Sequence, residues 1–83
     1  MLSLSLAASP LCERVYINQL TVTGDLRRRL LDLGFTPGNT VIPLFRSPLG
    51  DPTAYSVMGS IIALRQKDAE GIRVSPSQRE VVL

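Results

Sequence analysis

Asp25 to Pro52, DLRRRLLDLGFTPGNTVIPLFRSPLGDP, is the stretch whose reading decides the fold. In order it holds a short amphipathic helix with a glycine stop, a Pro-Gly turn, an apolar strand and a second Pro/Gly-rich loop. Asp25 is placed to act as N-cap, its carboxylate accepting from the free backbone donors of the helix start. At ~100° per residue, Leu26, Leu30 and Leu33 fall within about 60° of one another and make a core stripe. Gly34 stands just beyond the last turn, where the left-handed conformation is nearly cost-free for glycine, and Phe35 can fold back onto Leu30. Thr36-Pro37-Gly38-Asn39 has the composition of a type II turn, with proline fixing its first central residue and glycine supplying positive φ at the second. The chain leaves that turn as Thr40-Val41-Ile42, which is strand chemistry.

Working outward, Glu13 to Val22 reads as a strand with Val15 and Ile17 on one face and Tyr16 on the other. After the helix of residues 26–33, a second strand covers residues 40–46, followed by the turn Ser47-Pro48-Leu49-Gly50-Asp51-Pro52. Thr53 to Met58 alternates cleanly, with Thr53, Tyr55 and Val57 facing one way. Gly59 interrupts, and Ser60 to Leu64 makes a fourth strand. Arg65 to Gly71 is long enough for one helical turn, and Ile72-Arg73-Val74 is a last short strand. Short strands, tight turns and one helix predict a mainly β fold, a small five-stranded SH3-like barrel with one short α-helix and a C-terminal helical turn. The predicted domain is residues 1–75, with residues 76–83 as a C-terminal tail.

Composition narrows the class of function. A chain of 83 residues is one small domain, and such a domain buries only ~60% of its unfolded surface. Its hydrophobic content of 45% excludes disorder, while no apolar run approaches the ~18 residues of a membrane span, so direct membrane insertion is not expected. The start, Met1 to Ser9, has leucines but lacks a basic n-region, and its leucines alternate with serine at strand period, which argues against a secretory leader. A single cysteine, Cys12, forms no internal disulfide and fits a reducing cytoplasm. It reads as a small buried apolar residue. The net charge of +2 comes almost wholly from eight arginines and one lysine.

Chemistry is scarce. The chain has no histidine, which removes the usual nucleophile-base pair and the commonest metal ligand. Its acids are scattered, and its glycines lack the spacing of a phosphate loop. No enzyme activity, cofactor or resident metal is expected. Arg27-Arg28-Arg29 suggests nucleic acid, but three consecutive helical residues spread over about 200° and do not line a phosphate backbone. Nor are stacking aromatics interleaved with them. An i,i+4 pair between Arg28 and Asp32 would be worth only ~0.3 kcal/mol. Leu31 lies about 130° from the centre of the leucine stripe. Beside Arg27 and Arg28 it forms an apolar knob with a cationic rim, a surface suited to a protein partner. The loop Pro48-Leu49-Gly50-Asp51 offers a second apolar tip.

The order Arg27-Arg28-Arg29-Leu30-Leu31-Asp32-Leu33-Gly34, Thr36-Pro37-Gly38, Ser47-Pro48-Leu49-Gly50-Asp51-Pro52, then Gly59 and Ala63-Leu64-Arg65, resembles the ferrous iron transport protein A (FeoA) family over roughly residues 4–74. The resemblance implies a small cytoplasmic SH3-like protein acting beside the ferrous iron permease, which carries a cytoplasmic GTPase region. The residue reading puts the candidate partner contacts at Arg27, Arg28, Leu31, Pro48, Leu49 and Asp51, and the resemblance implies membrane association only through that partner. A related module closes some metal-dependent repressors, so the alternative is a regulatory module of metal-responsive transcription. Three departures from the family pattern stand out. Cys12 replaces a glycine that usually opens the first strand. Pro43 interrupts the second strand at an inward position, which calls for an edge or a bulge. Ile42, Phe45 and Met58 occupy places that are often polar, so self-association into a homo-oligomer through these three is expected.

Overall fold

The alternation of Thr53-Ala54-Tyr55-Ser56-Val57 is realised as a strand whose Thr53, Tyr55 and Val57 side chains are buried. The computed structural model describes residues 4–76. Along them run β1 (Leu4–Ser5), a 3₁₀ turn (Leu6–Ala8), β2 (Val15–Leu20) and α1 (Gly24–Leu33). Then follow β3 (Thr40–Arg46), β4 (Thr53–Val57), β5 (Ser60–Leu64), α2 (Gln66–Ala69) and β6 (Ile72–Ser75). The strands form one antiparallel sheet in the order β1-β6-β2-β3-β4-β5. Six strands replace the expected five because Leu4 and Ser5 pair with Val74 and Arg73. The tail expected at residues 76–83 lies, from residue 77 onward, outside the described residues.

Val15 with Ile17, Leu30 with Phe35, and Tyr55 with Val57 converge as their pattern predicts, and other elements complete the core. Leu6, Val15, Ile17, Leu30, Phe35, Val41, Tyr55, Val57, Leu64, Ala69, Ile72 and Val74 form one buried cluster, with Leu26 and Leu33 packed partly against it. Phe35 meets Tyr55 edge-on, with ring centroids 6.4 Å apart and planes at 88°, the arrangement that aromatic quadrupoles favour. Burial raises the Tyr55 phenol above its ordinary pKa, opposed by hydrogen bonding with the Thr53 side chain.

The helix stop follows the expected geometry. Gly34 adopts φ 111°; its N–H donates to the Leu31 carbonyl at 3.0 Å, and the Phe35 N–H donates to the Leu30 carbonyl at 3.0 Å. These are the two bonds of a Schellman end, and they deliver Phe35 directly into the core. Asn39 then ties the stop to the next turn, its amide donating to the Gly34 carbonyl at 2.9 Å and to Thr36 Oγ1 at 2.6 Å. The turn itself closes through Asn39 N–H to the Thr36 carbonyl at 3.0 Å, with Gly38 at φ 95°. Gly71 is tight for a different reason: a Cβ there would run into Val22.

Several local expectations are corrected. The helix begins at Gly24, so Thr23 and not Asp25 occupies the cap, and Thr23 makes no side-chain capping bond. Asp25 sits in the first turn, where its charge still complements the helix dipole. Strand β2 starts at Val15 and ends at Leu20, shorter than residues 13–22 at both ends. Pro43 is fully buried, and the β3–β4 register shifts just after it, between Pro43 and Phe45; its own missing donor faces the other neighbour, where its carbonyl accepts from Cys12. Cys12 is exposed rather than buried. Its φ of 66° places the backbone in the left-handed region that favours glycine. It holds that shape by donating its N–H to the Pro43 carbonyl at 2.6 Å. The helix arginines also pair differently. Among the described residues the ion pair is Arg29 with Asp68 at 3.7 Å, joining α1 to α2, and not Arg28 with Asp32. Being largely exposed on the arginine side, it adds little stability.

Two substitutions test this frame. Gly34→Val forces a β-branched residue to positive φ and brings its Cβ to within 2.8 Å of Met58 Cγ, a combined loss of about 3 kcal/mol. Thermal unfolding is expected to fall by roughly 12–24 °C for a domain of this size; an unchanged midpoint would remove Gly34 as the stop. Cys12→Gly relieves a left-handed side chain worth ~1–2 kcal/mol against ~0.5–1 kcal/mol of added chain entropy. The midpoint should therefore rise by a few degrees.

Candidate functional site

With no reactive cluster to anchor a site, exposure and chemistry single out three surfaces. Among the described residues, no group of three or more His, Cys, Asp and Glu side chains converges to hold a metal ion. No helix among them is long and apolar enough to cross a membrane.

The first surface is the outer side of α1. Arg27 and Arg28 are exposed, and helical spacing puts Leu31 between them on that side. Leu31 is half-buried, and it does not join the core cluster that contains Leu30. The leucine stripe and the knob thus separate as the periodicity requires, although the knob protrudes less than expected.

The second surface is the loop of residues 47–52. Its tip, Leu49, is 94% exposed. The loop is braced from within: the Ser47 hydroxyl donates to the Asp51 carbonyl at 2.7 Å, and the Ser47 N–H donates to the Pro52 carbonyl at 3.0 Å. The Gly50 N–H donates to the Ser47 carbonyl at 2.8 Å, and the Asp51–Pro52 peptide is cis. Asp51, expected to face a partner, has another task. Its Oδ1 accepts from the Gln66 N–H at 2.8 Å, satisfying a free donor at the start of α2. A shallow polar groove beside it is lined by Asp51, Arg65, Gln66, Lys67 and Glu70. Here carboxylates and cations alternate and offset one another. Pro48 and Leu49 keep their places at the exposed tip.

The third surface is the outer face of β3, β4 and β5. Register aligns Ile42 with Ser56 and Ser56 with Ile61; the neighbouring row is Phe45, Ala54 and Ala63. Residues in register share a face, and this one turns away from the core that receives Tyr55 and Val57. Phe45 is 58% and Ile61 68% exposed. None of the six side chains is charged. Ile42, expected to be exposed, is half-buried within this face. Met58, expected to join Ile42 and Phe45, lies instead at the β4–β5 turn, where it has φ 51° and packs toward Gly34. Ile61 was not anticipated. Its signal was the alternation within Ser60-Ile61-Ile62-Ala63-Leu64, which puts Ile62 and Leu64 toward the core and Ile61 and Ala63 outward.

Comparison with known proteins places this geometry. Residues 4–76 match the profile of the FeoA domain. The Fe(2+) transport protein A/Fe(2+) transporter FeoB fusion protein of Porphyromonas gingivalis is 39% identical over 51 residues, which are 61% of this chain and 6% of that protein. The chain thus spans a small fraction of that relative's length. Among solved structures, the FeoA protein of Chlorobium tepidum superposes with a TM-score of 0.82 at 32% identity, covering 88% of this chain and 70% of that one. The FeoA of Stenotrophomonas maltophilia, solved in complex with zinc and described as a procaryotic SH3 domain protein, superposes with a TM-score of 0.78 at 25% identity, covering 96% of each chain. The SH3-like class expected from the strand grammar is met.

The cap on α2 yields a direct test. Asp51→Ala removes the acceptor for the Gln66 N–H, and a lost cap costs about 1 kcal/mol. The thermal midpoint is expected to drop by about 4–8 °C, while Leu49→Ala, which alters only the tip, leaves it unchanged. Equal midpoints for the parent and Asp51→Ala would show that the contact contributes nothing.

Proposed function

The chain belongs to the FeoA family, and from that premise we propose that it is a non-catalytic accessory protein of ferrous iron uptake. Its partner in this reading is the ferrous iron permease, on whose cytoplasmic, GTPase-containing part it docks. The observation that carries the reading is the Porphyromonas gingivalis relative, in which Fe(2+) transport protein A and FeoB form one fusion protein. A covalent link of this kind holds two modules at an effective concentration near millimolar. Separate chains with the same task need a contact surface of their own.

The outer side of α1 supports that role. Leu31 offers apolar area between two cations, Arg27 and Arg28, and neither arginine has an ion-pair partner among the described residues. An apolar centre with a charged rim is the anatomy of a transient interface. The tip of the 47–52 loop, with Leu49 fully presented by internal bracing, supplies a second point of contact. In this reading the protein works in the cytoplasm and reaches the membrane only through the permease.

Leu31→Asp and Leu30→Asp, one residue apart, test the contact. At position 31 a charge remains solvated in the free domain and should lower stability by no more than about 1 kcal/mol. In the complex the same charge is desolvated without a partner, a penalty of several kcal/mol. Leu30 is fully buried, so Leu30→Asp is expected to unfold the domain. Titration against detergent-solubilised permease should show parental binding and at least a hundredfold loss for Leu31→Asp, which circular dichroism shows to be folded. Parental affinity in that variant would rule out the helix contact and leave the Pro48-Leu49 tip as the docking point.

A further inference from the structure

The third surface has no part in the docking just described, and it ends in an open strand edge. Strand β5 closes the sheet order on one side, and among the described residues no strand pairs with its free edge. At the opposite end of the sheet, the described part of β1 is two residues long. Strand β5 runs for five residues in unbroken register with β4, carries no proline, no charge and no bulge, and bears the exposed Ile61. Proteins ordinarily blunt such an edge to prevent pairing with another chain.

We propose that the edge of β5 is a self-association surface, at which a second copy of this chain adds its own β5 antiparallel about a two-fold axis through Ile62. The sequence is self-complementary in that register. Ser60 then lies opposite Leu64 of the second copy, Ile62 opposite its counterpart, and Ile61 opposite Ala63. A bulky residue meets a small one twice, by symmetry, as an isologous contact demands. Outward residues stay outward, so the uncharged rows of Phe45, Ala54 and Ala63 and of Ile42, Ser56 and Ile61 continue from one copy into the other as one apolar face. Arg65, the nearest flanking charge, falls opposite Gly59, and no like charges are brought together.

The size of the contact sets its strength. Five residues of strand extend about 17 Å, and the pairing with its flanking face buries less than about 1,200 Å² in total, the range of transient complexes. The dimer is therefore weak and concentration-dependent, with a Kd on the order of 100 µM. Self-association expected at Ile42, Phe45 and Met58 is thus moved to the β5 edge, where Ile61 and Ala63 face each other across the two copies.

Sedimentation equilibrium on the full chain, from about 10 µM to 1 mM to bracket that Kd, tests the proposal. The parent is expected to shift from one chain toward two. Ile61→Lys, at an exposed position that leaves the fold intact by circular dichroism, should weaken dimerisation at least tenfold. Ile61→Lys combined with Ala63→Glu should restore it, because the introduced ammonium then faces the introduced carboxylate of the other copy at both ends. A parent that stays monomeric, or an Ile61→Lys variant that dimerises like the parent, overturns the proposal. Failure of the double variant to recover overturns the register. A monomer whose β5 amides are nonetheless all protected from hydrogen exchange assigns the edge to the chain's own end instead.

Discussion

The burial of Leu30 and Phe35 on either side of Gly34 is the constraint from which the rest of the architecture follows. Helix α1 has ten residues, yet Leu30 is the single one of them that is fully buried. A helix attached at one point would pivot, and Phe35 supplies the second point. Two carbonyls of the last turn are satisfied by the N–H groups of Gly34 and Phe35, so the backbone itself closes the stop. Phe35 then packs edge-on to Tyr55, which belongs to the middle strand of the β3–β4–β5 meander. Through these few atoms the outer side of the helix, with Leu31 and its arginines, is held in a defined orientation to the barrel.

Local chemistry was legible in the chain wherever the relevant partners lie within a few residues. The stop at Gly34, the turn at residues 36–39, the strands at residues 40–46 and 60–64, and the buried side of β4 all depend on short-range geometry, and all are where the pattern put them. Pro43 was legible too, since a residue without a donor leaves a ladder few options. Long-range partnerships were not legible. Asp51 reads as a loop-tip residue until the fold brings the start of α2 to it. Arg29 finds Asp68 from across the chain, in preference to any pairing within the helix. Cys12 looked like a small core residue because composition records size and polarity but not φ. At Ile61 the alternation was visible in the chain, but the edge position of β5 is a property of the sheet order.

The two exposed surfaces differ in the kind of recognition they offer. The side of α1 that carries Leu31 joins apolar area to mobile cations. That mixture favours selectivity through electrostatic steering over strength. The free edge of β5 offers backbone donors and acceptors beside a flat apolar face, which any extended segment of matching pattern could meet. In the proposed reading, the helix holds one partner while the sheet edge is still available.

The buried Pro43 has a mechanical consequence. Along β2 and β3 the ladder aligns Val15 with Val41 and Tyr16 with Thr40, and the Ile17–Asn39 and Gly38–Ile17 backbone bonds extend it on one side. On the other side the proline has no hydrogen to give, and the chain bridges the gap with the Cys12 N–H alone. By contrast, β3–β4 and β4–β5 are aligned along almost their whole length. The barrel is therefore two leaves, β1–β6–β2 and β3–β4–β5, stitched by a short seam. Fewer backbone bonds thus join the leaves than run within either one. The shared core of Val15, Ile17 and Val74 with Val41, Tyr55 and Val57 supplies between the leaves the cohesion that backbone pairing does not.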